Sequence, residues 1–155
     1  MSGIQNITSS ENYELIAFCV GDQEFCIDIM RVREVRGWSE ATILPQTPSY
    51  IRGVINLRGI VLPIIDLALY LEIPELRPTE RNVVIVVQSS KKQVGILVDS
   101  VSDILATSKN MIQSIADVPS SHTKNFVSGL LTVNGRMISL ITLGGILQAE
   151  GLEDC

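Results

Sequence analysis

The 155-residue sequence has one histidine, three cysteines and few charged residues, and each scarcity argues against a class of function. His122 is the sole candidate for a histidine base or metal ligand, and the chain has no HExxH, CxxC, P-loop or GxGxxG motif. The three cysteines form no metal-ligand spacing. The net charge of -5 disfavours nucleic acid as a ligand. We therefore expect no cofactor, no metal and no catalytic residue.

Long apolar runs are also missing. Charged residues and prolines interrupt every run well before the roughly 20 residues that a bilayer-spanning helix needs. The first twelve residues, MSGIQNITSSEN, contain no basic leader followed by an apolar core, so they do not indicate export. These features predict a cytoplasmic protein without direct membrane insertion.

Short β-branched and aromatic runs, separated by turn-forming residues, fill most of the chain. This pattern, with almost no amphipathic helix, predicts an all-β barrel or sandwich with short helices over 66–71 and 143–149. Hairpin-like pairs of runs recur on both sides of the connection 72–81, which favours two small barrels packed together. The chain then divides into a flexible arm (1–12), one domain made of the two barrels (13–150) and a tail (151–155).

The first hairpin is predicted from YELIAFCV, followed by GDQE and FCIDI. Alternation predicts a shared apolar face, formed by Ile16, Phe18, Val20, Phe25, Ile27 and Ile29. If Asp22 and Gln23 form the centre of the turn, Cys19 lies opposite Cys26, and cross-strand neighbours can approach disulfide distance. Free thiols are the expectation in a reducing cytosol.

A second hairpin lies in SYIRGVINLRGIVLPIIDL, residues 49–67. Two β-branched runs flank Asn56-Leu57-Arg58-Gly59, where Gly59 can take a positive φ and the Asn56 side chain can bond nearby backbone. This pattern predicts a tight turn that presents Arg58 at the tip of a rigid hairpin, a position in which folding alone needs no cation.

Two interpretations of Arg58 are open. The arginine either caps the turn or pairs with a nearby carboxylate such as Glu34, or it is presented to a partner. In the second case Val32, Val83 and Val84 are candidates for the surrounding apolar surface, because an arginine in apolar surroundings is typical of an interface hot spot.

The sequence offers few candidate catalytic residues. Asp66, Asp99 and Asp103 could be combined as an acid pair, but their positions favour strand-end and turn carboxylates. The remaining test of catalysis is whether His122 meets an acid and a hydroxyl in a pocket.

Three stretches together resemble the CheW family of bacterial chemotaxis adaptors: FCIDIMRVREVRG, TPSYIRGVINLRGIVLPIIDL, and NVVIVV followed by VGILVDSVSDIL. They keep the family's order and spacing from about residue 13 to residue 147, and the NLRG turn is specific to it. The resemblance implies two intertwined five-stranded SH3-like β-barrels without catalytic activity. It also implies a scaffold that couples transmembrane chemoreceptors to the histidine kinase CheA.

The resemblance also assigns roles to individual residues. The groove for the receptor's cytoplasmic hairpin tip would use Val32, Glu34, Asn56, Arg58, Val83 and Val84. The contact with the regulatory domain of CheA is expected at Ile43 and Leu44, while Gly53, Gly59 and Gly95 would serve backbone geometry. The protein would be recruited to the inner face of the membrane at receptor arrays. An alternative is a coupling protein of another receptor–kinase pathway, such as one that controls pili or development.

Overall fold

Strands make up most of the computed structural model, which describes residues 12–73, 81–89, 92–114 and 126–142. Residues 1–11 of the predicted amino-terminal arm, the predicted helix over 143–149 and His122 lie outside these residues. The bounds of the strands and of the single α-helix in the described part are β1 (Asn12–Val20), β2 (Gln23–Asp28), β3 (Val32–Gly37), β4 (Ile51–Leu57), β5 (Ile60–Asp66), α1 (Leu67–Tyr70), β6 (Val83–Ser89), β7 (Lys92–Val98), β8 (Ser100–Ser108), β9 (Ile112–Gln113), β10 (Val127–Val133) and β11 (Arg136–Ile141).

The strands form two sheets, so the predicted all-β class is confirmed. A six-stranded sheet has the order β8-β1-β2-β11-β10-β9, and a five-stranded sheet has the order β3-β6-β7-β5-β4. Neighbours are antiparallel except for the pairs β2–β11 and β5–β7. The predicted helix over 66–71 is present as α1, with Asp66 as its N-cap. No helix in the described ranges combines the length and hydropathy needed to cross a bilayer.

The recurrence of hairpins on both sides of the connection 72–81 does not correspond to a division between the two sheets. Strands β3, β4 and β5 precede this connection and β6 and β7 follow it, yet all five belong to one sheet. The six-stranded sheet instead combines β1 and β2, from the beginning of the described chain, with β8–β11, from its end. The repetition of hairpins along a sequence does not specify which of them pair across a long separation, so the sequence pattern could not locate this division.

Both sheets bury apolar side chains on two faces. The largest apolar cluster takes residues from both sheets, including Phe18 from β1 and Ile85 from β6. A second cluster belongs to the six-stranded sheet, and a third, to which Val84 and Val86 contribute, belongs to the five-stranded sheet. The sequence of strand β6 is almost continuously apolar because its alternate side chains enter two different clusters.

The first hairpin has a different register from the one predicted. Its face is confirmed, since Ile16, Phe18, Val20, Phe25 and Ile27 are buried in the shared cluster and Ile29 packs against it. However, Val20 pairs with Gln23, which places Cys19 opposite Glu24 and Cys26 opposite Ala17. The turn begins one residue earlier because Gly21 adopts a positive φ of 61°.

The predicted juxtaposition of Cys19 and Cys26 is therefore wrong, and both cysteines are free. Burial raises the pKa of the Cys26 thiol to about 12, so this thiol stays protonated near neutral pH.

Two of the predicted structural glycines lie inside strands rather than in turns. Gly53 has a φ of 140° beside a register shift in β4, and a Cβ atom there would overlap the carbonyl of Thr42. At Gly95 in β7, a Cβ atom would lie 2.6 Å from the Ile64 side chain and 2.8 Å from that of Val84. Both positions therefore need glycine for close packing, whereas Gly59 is a turn residue.

Candidate functional site

The hairpin of β4 and β5 ends in a two-residue turn formed by Arg58 and Gly59. Leu57 and Ile60 are the last paired residues, and the turn residues have φ values of 52° and 86°. Positive φ at both central residues is the pattern of a type I′ turn, which matches the twist of the flanking strands. The backbone N–H of Gly59 donates to Asn56 Oδ1 at 3.0 Å. The predicted turn is confirmed, and the turn and its side-chain bond fix the position of the arginine.

The Arg58 guanidinium contacts strand β3. Its Nη2 donates to Glu34 Oε1 at 2.8 Å. Since β3 and β4 lie at opposite ends of the strand order, this ion pair joins the two ends of the sheet. The Arg58 side chain is nevertheless 71% exposed. Pairing with Glu34 and presentation to solvent thus occur together, although they were predicted as alternatives.

Arg36 is a third member of this group, and it is not among the predicted site residues. Its Nη1 donates to Glu34 Oε2 at 3.3 Å, and the side chain is 38% exposed. Its Nε is buried and has no hydrogen-bond partner among the described residues. Arg36 could have been identified from its position two residues after Glu34, which is already a candidate. Residues two apart on a strand share a face. We refer to Glu34, Arg36 and Arg58 as the arginine cluster.

The arginine cluster shifts the ionisation of its carboxylate. The pKa of Glu34 is lowered, first by the hydrogen bond from Arg58, with smaller contributions from the Arg58 charge and from Arg36, while desolvation opposes them. A carboxylate whose pKa is depressed on folding stabilises the fold above its unfolded-state pKa. This stabilisation is lost as the pH falls through the depressed folded-state value.

We expect the Glu34 carboxyl to titrate below the ordinary glutamate range when it is followed by carbon-13 NMR. Arg58→Ala should raise this pKa more than Arg36→Ala does, because the hydrogen bond from Arg58 is the largest cause of the shift. A Glu34 pKa that is unchanged by Arg58→Ala would contradict the pairing.

The three valines predicted to surround Arg58 do not form one exposed surface. Val84 is 1% exposed and belongs to the core of the five-stranded sheet, so the prediction that it supplies apolar surface is wrong. Val32 and Val83 are half-buried, but Val32 pairs with Val87 and Val83 pairs with Gly37, at the opposite ends of the ladder between β3 and β6.

Exposed apolar side chains lie instead beside the turn, where the sequence reasoning did not place them. Ile60 and Val61 are both exposed, and they directly follow Arg58 and Gly59. The predicted companions Glu34 and Asn56 do lie at the turn, the first through its ion pair and the second through its bond to Gly59. Arg58 therefore has apolar neighbours, but Ile60 and Val61 supply them.

A cavity of about 350 Å³ lies against this hairpin. It is lined by Ser39, Glu40, Thr42, Val54, Ile55, Asn56 and Val61. Thr42 forms an isolated β-bridge with Val54, and it is followed by Ile43, which is 81% exposed, and by Leu44, which is also exposed. The cavity and these two side chains form a second surface, which we call the bridge surface.

The remaining candidate acids have local structural partners. Asp66, which is buried, accepts from Arg52 Nε at 2.7 Å and caps helix α1 through Leu69 N. Asp99 accepts from Gly21 N at 2.8 Å, and Asp103 accepts from the next backbone N–H. Within the described ranges, no three histidine, cysteine or carboxylate side chains are placed to hold a metal ion.

Comparisons with known proteins agree with the resemblance. The family model of the CheW-like domain matches residues 14–151. Chemotaxis protein CheW of Rhizobium meliloti is 51% identical over 140 residues, which cover 90% of each chain. Chemotaxis protein CheW of Klebsiella aerogenes is 35% identical over 88% of this chain and 82% of its own. The crystal structure of the scaffolding protein TtCheW from Thermoanaerobacter tengcongensis superposes with a TM-score of 0.83 at 28% identity, covering 92% of this chain and 97% of that one.

Proposed function

The chain belongs to the CheW-like family, and we therefore propose that it is a non-catalytic scaffold that couples chemoreceptors to the histidine kinase CheA. In this proposal it works in the cytoplasm and is held at the inner face of the membrane by the receptors that it binds. The observation that carries the proposal is the largely exposed Arg58, which a stiff turn and an ion pair hold in place.

The receptor-binding site is proposed at the tip of the β4–β5 hairpin. A receptor tip is a helical hairpin, and such helices dock through an apolar stripe with a few polar contacts. The exposed Ile60 and Val61 supply apolar surface, Arg58 supplies a positive charge, and Asn56 supplies an amide. Glu34 acts by orienting Arg58, while the half-buried Val32 and Val83 remain proposed contacts at the margins of the site.

Kinase binding is proposed at the bridge surface, through Ile43 and Leu44. Exposed aliphatic side chains next to a cavity are features that a protein partner can cover. The two proposed surfaces meet at Asn56 and Val61, which line the cavity and also lie beside the turn, whereas Ile43 and Leu44 belong to the bridge surface alone. An array of such contacts tolerates weak single affinities.

Co-sedimentation with receptor-containing membranes tests this function. The chain should pellet with membranes that contain a chemoreceptor and stay in the supernatant with receptor-free membranes. CheA should pellet substantially only when the chain is present. A chain that ignores receptor membranes, or CheA that sediments equally well without it, would contradict the scaffold role.

We expect Ile43→Asp to weaken the binding of CheA by roughly ten-fold, because a charge placed in an apolar contact loses its hydration when the partner docks. Receptor binding should stay unchanged, since the receptor is proposed to contact the other surface. Met137→Asp is the matched control, because Met137 is a large exposed apolar residue on the six-stranded sheet. Equal losses in the two variants, measured by titration calorimetry, would refute the assignment of the bridge surface.

A further inference from the structure

The arginine cluster carries more positive than negative charge. Glu34 provides one carboxylate, and both of its oxygens already accept hydrogen bonds, one from Arg58 and one from Arg36. Two guanidinium groups therefore share a single counter-charge. This local excess of positive charge stands out on a chain whose net charge is -5.

The hydrogen-bonding capacity of the cluster is also incomplete. A guanidinium has five N–H donors, and Arg58 has most of its side chain exposed to solvent. The Nε of Arg36 has no hydrogen-bond partner among the described residues. A buried donor without a partner is unfavourable, and Arg36 is still exposed enough elsewhere for a docked group to reach it.

These observations distinguish between two kinds of partner group. A cation from the partner would meet two arginines and a carboxylate whose oxygens are both occupied. A carboxylate would meet unused N–H donors and an uncompensated positive charge. Hydrogen bonds between guanidinium and carboxylate groups are among the stronger ones in proteins, and the planar fork makes them geometrically selective.

We infer that the partner bound at the hairpin tip brings an aspartate or glutamate to the arginine cluster, and that Arg36 together with Arg58 selects for it. This inference rests on the proposed binding of a receptor. It adds that the helix that docks beside Ile60 and Val61 carries an acidic side chain next to its apolar stripe. Arg36 is thereby a specificity-determining residue.

The test measures the affinity of a chemoreceptor hairpin-tip fragment for charge variants of the chain, at low and at high salt. Arg36→Gln should weaken binding roughly five-fold at low salt and less at high salt, because ions screen an exposed charge pair. Arg36→Lys should retain most of the affinity because it keeps the charge. Thermal unfolding of each variant verifies that it is folded.

Arg33→Gln is the matched control. Arg33 lies on the same strand but on the opposite face, where it donates to Gln88 Oε1 at 2.7 Å, outside the cluster. This variant should bind within two-fold of the unmodified chain. Replacing each acidic residue of the fragment with its amide should identify one position whose effect disappears in Arg36→Gln.

The outcomes separate this inference from the proposed function. If the unmodified chain does not bind the fragment, the receptor-binding function itself fails. If the chain binds but Arg36→Gln equals Arg33→Gln, or no acidic position of the fragment couples to Arg36, only the inference is overturned. Equal losses in Arg36→Gln and Arg36→Lys would also overturn it, since charge would then not determine the effect.

Discussion

Replacing Arg58 with alanine is expected to weaken receptor binding about ten-fold or more while the fold is retained. Truncation of a hot-spot arginine typically costs at least ~1–2 kcal/mol, and ten-fold corresponds to about 1.4 kcal/mol. The side chain is 71% exposed, so its removal leaves no cavity in the core. Alanine has the same steric limits as arginine at a φ of 52°, and the strain of the turn therefore changes little. Titration of a receptor hairpin-tip fragment measures the effect.

Arg136→Ala is the control for this variant. Like Arg58, Arg136 pairs with a glutamate beside a tight turn, since its Nη1 lies 2.6 Å from Glu24 Oε2, but it belongs to the six-stranded sheet. Its side chain is 45% exposed. Loss of an exposed ion pair should affect the two variants similarly in stability, whereas only Arg58→Ala should lose receptor affinity. Equal receptor affinity in the two variants would remove Arg58 from the binding site.

The parts of the site that the sequence predicts are those fixed by local chemistry. The turn at Arg58 and Gly59 follows from a glycine and an asparagine between two β-branched runs, and it needs no knowledge of the rest of the fold. The predicted helix over 66–71 is local in the same sense, since the Asp66 side chain caps its first turn. The pairing of Arg58 with Glu34 was open as an alternative, because a carboxylate of the right kind occurs on a neighbouring run.

The parts that were missed depend on register or on contacts between distant segments. A turn that begins at Gly21 rather than Asp22 was enough to separate Cys19 from Cys26. The five-stranded sheet joins β5 to β7 across a long separation, which the repetition of hairpins does not encode. Arg36 is not among the predicted site residues, although its two-residue spacing from Glu34 places both on one side of β3.

Strand β6 shows why exposure was the least predictable property. In NVVIVV every residue after Asn82 is apolar, so alternation has no polar face to mark the surface. Val84 and Val86 enter the core of the five-stranded sheet, while Ile85 and Val87 enter the cluster shared by both sheets. The half-buried Val83, at the start of the strand, is the only one of these valines with partial access to solvent.

Val84→Lys is therefore expected to unfold the protein or to lower its free energy of unfolding by at least ~3 kcal/mol. The side chain is 1% exposed, and one of its methyl groups would lie 2.8 Å from a Cβ atom built on Gly95. The Val84 side chain thus packs directly over Gly95 of the neighbouring strand. An ammonium group buried there without a partner carries a desolvation penalty comparable with the whole stability of a small domain. Urea unfolding followed by circular dichroism measures the change.

Val83→Lys is the paired control, because it places the same charge one residue away on the same strand. A lysine at a half-buried position can direct its ammonium group to solvent, so this variant should fold and unfold at a urea concentration well above that of Val84→Lys. The contrast depends on register, since a shift of one residue would exchange the faces of the two valines. A Val84→Lys chain as stable as Val83→Lys would mean that the register of β6 differs from the one described. The position of Arg36, which pairs with Val84, would then also have to be revised.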